Sequence, residues 1–277
     1  LQIIMNEVLV LPKRKQEELA ELLQETSLSS IINAAKIVAD RLKFLSGLET
    51  ILFDQEKKKR LKERSQLHQI LADNTWLFGE EYNLSVSDKS LTEVLRKHRQ
   101  LLNDDIEIDH PVQHISKQRG IVDLMLSRAL RRHRANELEH LVVELKAPRV
   151  VIGKDQVNQI EEYAFSVMDD ERFKRNNVRW MFWVLSDDMN SFAEKRILEH
   201  EQQHGTIYRK GNCVIAIKTW SQLIEDNKAR LQFFQEKLEH QVDNEVALSH
   251  LQEKYQKFLA GVITDEDPQQ DVADAEA

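Results

Sequence analysis

Along residues 12–72 the apolar positions recur at helical spacing. Pro12 suits a first helical position and precedes Glu17, Glu18 and a Leu19/Leu22/Leu23 stripe. Ser27–Ser30 offers a fresh N-cap ahead of IINAAKIVADRLKFL, where Ile32, Ala35, Val38/Ala39, Leu42 and Leu45 keep the period up to Gly47. A third helix is expected from about Leu48 through the basic stretch KKKRLKER to Leu71. Such a helical start suits an oligomerisation module or a packing layer, and the pattern leaves both open.

From Asn74 the texture becomes mixed. NTWLFGEEY reads as a helix end and a turn at Gly79, and LTEVLRKHRQLL as a short amphipathic helix. GIVDLMLSRAL and LEHLVVELKA are β-rich runs on either side of the charged turn RRHRANE, which predicts a hairpin or bent ribbon. Residues 154–168 return to helical spacing, RWMFWVL reads as a short buried strand, and SFAEKRILEHEQQH as a helix closed by Gly205. TIYRKGNCVIAIK predicts a hairpin about Gly211–Asn212, and Trp220 to about Ala260 a long terminal helical region. There is no internal repeat and no Gly-rich phosphate loop.

Composition narrows the picture. With 277 residues, 41% of them apolar, and only 7 Gly and 4 Pro, the chain suits one globular domain with helical additions and argues against disorder. No apolar run approaches a membrane-spanning length and no signal peptide is recognisable, so a cytoplasmic protein without membrane contact is expected. Leu1 is not an initiator Met, which suggests processing or a piece of a longer protein. The single Cys213 excludes an internal disulfide and a thiol-based zinc cluster, and favours a reducing compartment. The net charge of −8 argues at face value against nucleic acid. Six of the acids, however, lie in residues 264–277, where there is no Lys or Arg, and the remainder is nearly neutral with 41 acids against 39 bases.

Asp123 lies inside one apolar strand run, and Glu144 and Lys146 inside the next, VVELKAP. A carboxylate fits a buried strand poorly unless a cation meets it. Period-two alternation puts Glu144 and Lys146 on one face with Leu145 on the other, and a hairpin partner brings Asp123 beside them. Two carboxylates on adjacent strands can hold Mg²⁺ through hard oxygen ligands, with Lys146 near an attacking water. The plainer reading is an exposed strand face with an ordinary Glu–Lys pair. The following helix carries Gln159-Ile160-Glu161-Glu162-Tyr163, in which Gln159 and Tyr163 share a face.

An Asp followed by ELK and then Q-h-x-x-Y resembles the RecB-like branch of the PD-(D/E)xK nucleases. A helix ending near Leu71, strands up to about 109, 121–127 and 139–146, a helix 154–168 and a strand 179–185 resemble that superfamily's αβββαβ core. Within it, ERSQLHQILADNTWLFGEEY, GIVDLML, VVELKAP and QVNQIEEYA are similar to the Shedu family of bacterial anti-phage nucleases, over roughly residues 60–165. The resemblance implies an α/β restriction-endonuclease-like domain at 61–222, a helical region at 1–60, a second at 223–262 and an acidic disordered tail at 263–277. It implies Mg²⁺, with Mn²⁺ substituting, held by Asp123, Glu144 and the Leu145 carbonyl. Lys146 becomes the catalytic lysine, Gln159 a support on the DNA-facing side, and Glu63 a further active-site carboxylate. The sequence departs from the superfamily pattern in having no Pro next to Asp123. The implied partners are phage DNA and further copies of the chain, as a dimer or tetramer.

Other signals compete. His200-Glu201-Gln202-Gln203-His204 matches HExxH, which in a zinc metalloprotease puts two imidazoles on Zn²⁺ with Glu201 as base. The match is short and stops at Gly205, and the plainer reading is an exposed His pair in a last helical turn. His110 and His114 have no further ligand set, and Trp180 and Trp183 suit a core or an interface. Two basic clusters, Lys57–Arg60 with Lys62 and Arg64, and Arg128 with Arg131–Arg134, read as solvated surface or as phosphate contacts flanking the site. A third possibility is a DNA-binding scaffold whose nuclease core has decayed.

Overall fold

The computed structural model describes residues 6, 8–103, 108–115, 121–130, 137–174, 178–199, 204–238, 242–259 and 261–263. Helices α1 (Lys13–Glu25), α2 (Leu28–Phe53), α3 (Gln55–Arg60) and α4 (His68–Ala72) come first, with a π-helical turn at Glu63–Leu67 leading into α4. Strand β1 (Asn83–Ser90), helix α5 (Leu91–Leu101), strands β2 (Ile121–Leu130), β3 (Glu137–Leu145) and β4 (Val151–Ile152), and helix α6 (Lys154–Asp169) follow. After them come β5 (Val178–Ser186), β6 (Asp188–Met189), α7 (Ser191–Arg196), β7 (Thr206–Lys210), β8 (Cys213–Thr219), α8 (Trp220–Leu238) and α9 (Asn244–Leu259).

The chain is a mixed α/β protein built on a six-stranded sheet in the order β1-β2-β3-β5-β8-β7. The first three strands are antiparallel, β3, β5 and β8 run parallel, and β7 returns antiparallel on β8. Alternate side chains feed two cores. Leu124, Leu126, Leu141, Val143 and Leu145 pack with α2, α4, α8 and α9 on one face. Met125, Val142, Phe182 and Val184 pack with α5, α6 and α7 on the other. Burial on both faces is why β3 and β5 are nearly continuous apolar runs.

Both expected hairpins form, β2 with β3 and β7 with β8 about Gly211, whose φ is +57°. Ser27 caps α2 by accepting from the Ser30 amide at 3.1 Å. Gly47, in contrast, does not end that helix. It lets α9 cross closely, since a Cβ there would stand 2.5 Å from Leu251 Cδ1 and 2.9 Å from the Ala247 carbonyl. The single third helix expected to reach Leu71 is broken instead. Asp54 stops α2 and caps α3 through the Glu56 and Lys57 amides, and Leu61 turns into the core before the π-helical turn begins. The helix expected to reach Gly205 ends at Arg196, and the expected terminal helical region comprises the two helices α8 and α9. Strand β1 did not stand out in the sequence because SVSDKS is a polar, half-exposed edge. No helix among the described residues is long and apolar enough to cross a membrane.

Gly47→Val should cost about 1–3 kcal/mol, because overpacking at the α2–α9 crossing has backbone on one side and cannot relax freely. Urea unfolding monitored by far-UV circular dichroism measures the loss.

Candidate active site

The β2–β3 ladder runs regularly from Leu130 opposite Glu137 to Leu124 opposite Val143. One residue further, Asp123 Oδ2 accepts from the Leu145 amide at 2.8 Å, so a carboxylate replaces the next backbone acceptor. The Asp123 carbonyl is freed from the ladder and lies 2.9 Å from His68 Nε2 on α4. A carbonyl carries no proton, so Nε2 is the protonated nitrogen, and Nδ1 is left to accept from Gln69 Nε2 at 3.2 Å. Strand and helix are thereby joined behind the Asp123 side chain.

Glu144 is the penultimate residue of β3, with Val184 of β5 opposite on its other flank. Its Oε1 accepts from Lys146 Nζ at 2.7 Å and from Gln159 Nε2 at 2.7 Å. Its Oε2 is buried and has no hydrogen-bond partner. Gln159 also donates to Tyr163 Oη at 3.3 Å, and that hydroxyl donates to the Ile121 carbonyl at 2.7 Å. The Gln159–Tyr163 pair, one turn apart on α6, thus ties the start of β2 to the end of β3. Glu63, on the π-helical turn, accepts from the Ala147 amide at 2.7 Å, directly after Lys146.

The structure therefore brings Asp123, Glu144, Lys146, Gln159 and Glu63 to one corner, with the Leu145 backbone among them. Asp123 is 6% exposed and Glu144 5%. Burial, with the Asp123 charge behind it, pushes Glu144 up to about 7 even though Lys146 opposes the shift. Asp123 is likewise raised, first by burial and against the Leu145 amide and Lys146. Burial and the Glu144 charge push the Tyr163 hydroxyl up to about 12. Three acids face one lysine here. A divalent cation suits such a deficit, and the hard oxygens of Asp123, Glu144 and a backbone carbonyl suit Mg²⁺. No cluster of three or more His, Cys, Asp or Glu among the described residues forms a metal site, so any such ion would complete its shell with backbone oxygen and water.

His68, which sequence reasoning passed over, and Tyr163, which it noted only as sharing a face with Gln159, anchor the backbone on either side of Asp123. Their signal was present as a His between Leu67 and Gln69, five residues after Glu63, and as the Tyr of Q-h-x-x-Y. The basic clusters are less available than expected. Lys57 pairs with Asp54 at 3.3 Å, Lys59 with Glu56 at 3.0 Å, and Lys58 with Asp187. Arg128 turns away to Glu139 at 2.6 Å, five residues before Glu144 on β3, and Arg131–Arg134 lie outside the described residues. His114 rests edge-on against Tyr163, 5.3 Å between ring centroids, and lines a cavity of about 750 Å³ with His110. Of the HEQQH stretch only His204 is described, and it is exposed. Trp180 is core, while Trp183 is half-buried beneath Lys218.

No protein-family model matches the chain, and no curated protein does. Among solved structures, a repair endonuclease from Pyrococcus abyssi aligns with 57% of this chain at 16% identity and a TM-score of 0.29. The alignment covers 46% of the endonuclease, under half its length, and is too slight to bear on fold or activity.

A Glu that folds with its pKa raised from 4.5 to about 7 contributes stability that is full below 4.5 and lost as pH rises through 7. In metal-free buffer, Glu144→Gln should therefore raise the melting temperature at pH 8, with an advantage that shrinks towards pH 5. Thermal melts across pH check this, and a variant equally destabilised at both pH values contradicts it.

Proposed function

We propose that the chain is a divalent-metal-dependent DNA endonuclease with a PD-(D/E)xK-type core, similar in its motifs to the Shedu nucleases, acting on phage DNA in anti-phage defence. The observation that carries this reading is the unpartnered, buried Glu144 Oε2 beside Asp123, an oxygen that no described residue satisfies. The order α4, β1, β2, β3, α6, β5 supports it, with α5 as an insertion between the first two strands. So does the position of the site at the carboxyl ends of the parallel strands β3 and β5, where α/β sheets bind ligands. An intact Asp123, Glu144, Lys146 and Gln159 set argues against a decayed scaffold.

Asp123, Glu144 and the Leu145 carbonyl would hold Mg²⁺ or Mn²⁺, which when bound lowers the pKa of water and offsets phosphate charge. The chain's own residues do the remaining work. Gln159 and Lys146 both bind Oε1, which leaves Oε2 as the open donor. Tyr163 keeps Gln159 in place, and Glu63 fixes the backbone that carries Lys146. The Lys146 ammonium, 14% exposed, can donate to a water or to a non-bridging phosphate oxygen. The Lys57 and Lys59 ion pairs, each with an acid three residues earlier, are of small worth, and they can be exchanged for phosphate contacts that weaken with salt. Homo-oligomerisation through the helical flanks and a cytoplasmic setting belong to the same reading.

Plasmid cleavage tests it. The parent should nick or linearise DNA in Mg²⁺ and stop in EDTA, and Glu144→Ala and Lys146→Ala should each lose at least about 10²-fold in rate. Equal rates in the variants would refute the site. DNA binding with no cleavage under any divalent ion would return the scaffold reading.

A further inference from the structure

The cavity of about 750 Å³ beside His110 and His114 lies outside the catalytic corner but shares an element with it. Gln159, Tyr163 and Ser166 follow one another at i, i+4 and i+7 along one face of α6. Gln159 holds Glu144, Tyr163 meets the His114 ring, and Ser166 lines the cavity. At about 1.5 Å of rise per residue, the cavity opens roughly 10 Å along α6 from Gln159. The segment 108–115 that forms its other wall is fastened at three points. The Ile115 amide donates to Ser166 Oγ at 3.1 Å, the Val112 amide to Thr92 Oγ1 at 3.0 Å, and Arg172 Nη1 to the His110 carbonyl at 2.5 Å. The volume falls within the roughly 300–1,000 Å³ of small-ligand sites.

The lining decides what fits. Arg172 is already engaged, since its guanidinium clasps Asp170 through Nε at 2.9 Å and Nη2 at 2.5 Å and holds that carboxyl below its usual range. Asp109 and Asp169 form no ion pair among the described residues, so the cavity keeps two carboxylates open to a ligand. A backbone phosphate is repelled there, and a group that offers N–H donors is drawn in. The imidazoles of His110 and His114, with Pro111 and Ile115, add flat and apolar surface.

We propose that this cavity receives one unpaired base of the DNA strand being cut, and that Asp109 and Asp169 select a base with an exocyclic amino group. Cytosine, adenine and guanine carry one, and thymine does not. The inference rests on the nuclease reading and adds a base preference to it. An Asp accepting from cytosine N4 is an ordinary base-edge contact. An extruded base is read through its Watson–Crick edge between flat side chains, which the imidazoles supply. The phosphates stay outside the acidic cavity, at the catalytic corner. Roughly 10 Å corresponds to about three nucleotide steps at ~3.4 Å each, so the selected base lies about three nucleotides from the scissile bond. A base stacked in duplex cannot enter, so the preference is confined to single-stranded or locally opened DNA.

Binding of the full chain to oligodeoxycytidylate and oligodeoxyuridylate of equal length tests the selection without cleavage, because the two differ only at C4 and N3 of the base. By fluorescence anisotropy in EDTA, the parent should prefer the cytosine strand at least about fivefold, the low end of what one good base contact gives. Asp109→Ala with Asp169→Ala should bring that ratio to about one. The uridine strand should then bind no more weakly than before, since two negative charges are gone, whereas a damaged fold would weaken both strands. Both positions are exposed, so circular dichroism should be unchanged. In Mg²⁺, a uridine strand with a single cytosine should be cut mainly about three nucleotides from it by the parent, and evenly by the double variant. No cytosine preference in the parent, or one that survives the double variant, overturns the inference. Cleavage without positional bias overturns it and leaves the nuclease standing. A cytosine preference lost in the double variant, with no cleavage at all, upholds the base site and refutes the nuclease.

Discussion

Two carboxylates share one buried corner at the end of the β2–β3 ladder, and the surrounding structure is arranged around that cost. Taking an ionised carboxylate out of water costs several kcal/mol, and two side by side repel as well. The chain answers with one lysine, one amide side chain and one backbone N–H, which satisfy Asp123 Oδ2 and Glu144 Oε1 and leave Glu144 Oε2 without a donor. An apolar pair would fill the same space with less penalty. Retaining two acids there makes sense when a cation is meant to occupy the gap, which links the energetics of the corner to the chemistry proposed for it.

The fold supplies the rigidity such a corner requires. Strand β3 has antiparallel β2 on one side and parallel β5 on the other, and helices cover both faces, so Glu144 sits on an element that cannot shift without disturbing two cores. Helix α4 reaches the Asp123 carbonyl through His68, and α6 reaches Glu144 through Gln159 and the start of β2, at Ile121, through Tyr163. The ladder ends one residue before Asp123 because the side chain takes over the bonding, which opens the strands at the point where a ligand would enter. Local backbone pairing and the site are therefore the same feature.

The parts of the molecule governed by short-range periodicity were legible in the sequence. The two hairpins, α5 and α6 follow from strand alternation and from i, i+4 spacing, Asp123 and Glu144 stood out as carboxylates set where apolar residues were due, Lys146 came with Glu144 by alternation, and Gln159 came from the resemblance of Q-h-x-x-Y to known nucleases. Tertiary packing decided the rest. Gly47 looked like a helix end and is a crossing point, because Leu251 lies 204 positions further along the chain and its approach leaves no local trace. The breaks at Asp54 and Leu61 turn the chain so that Glu63 reaches Ala147, a contact that an unbroken helix pattern concealed. Likewise, the acids that neutralise Lys57, Lys58 and Lys59 include a distant one, Asp187, so a basic run in the sequence overstated the positive surface.

The central claim is that Asp123 and Glu144 form a divalent-cation site. Crystals of the protein soaked in Mn²⁺ and measured for anomalous scattering test it most directly. The account predicts a peak between the two carboxylates, within about 2.0–2.6 Å of Glu144 Oε2. A map with no peak there, or with its ion bound at His204 instead, would contradict it.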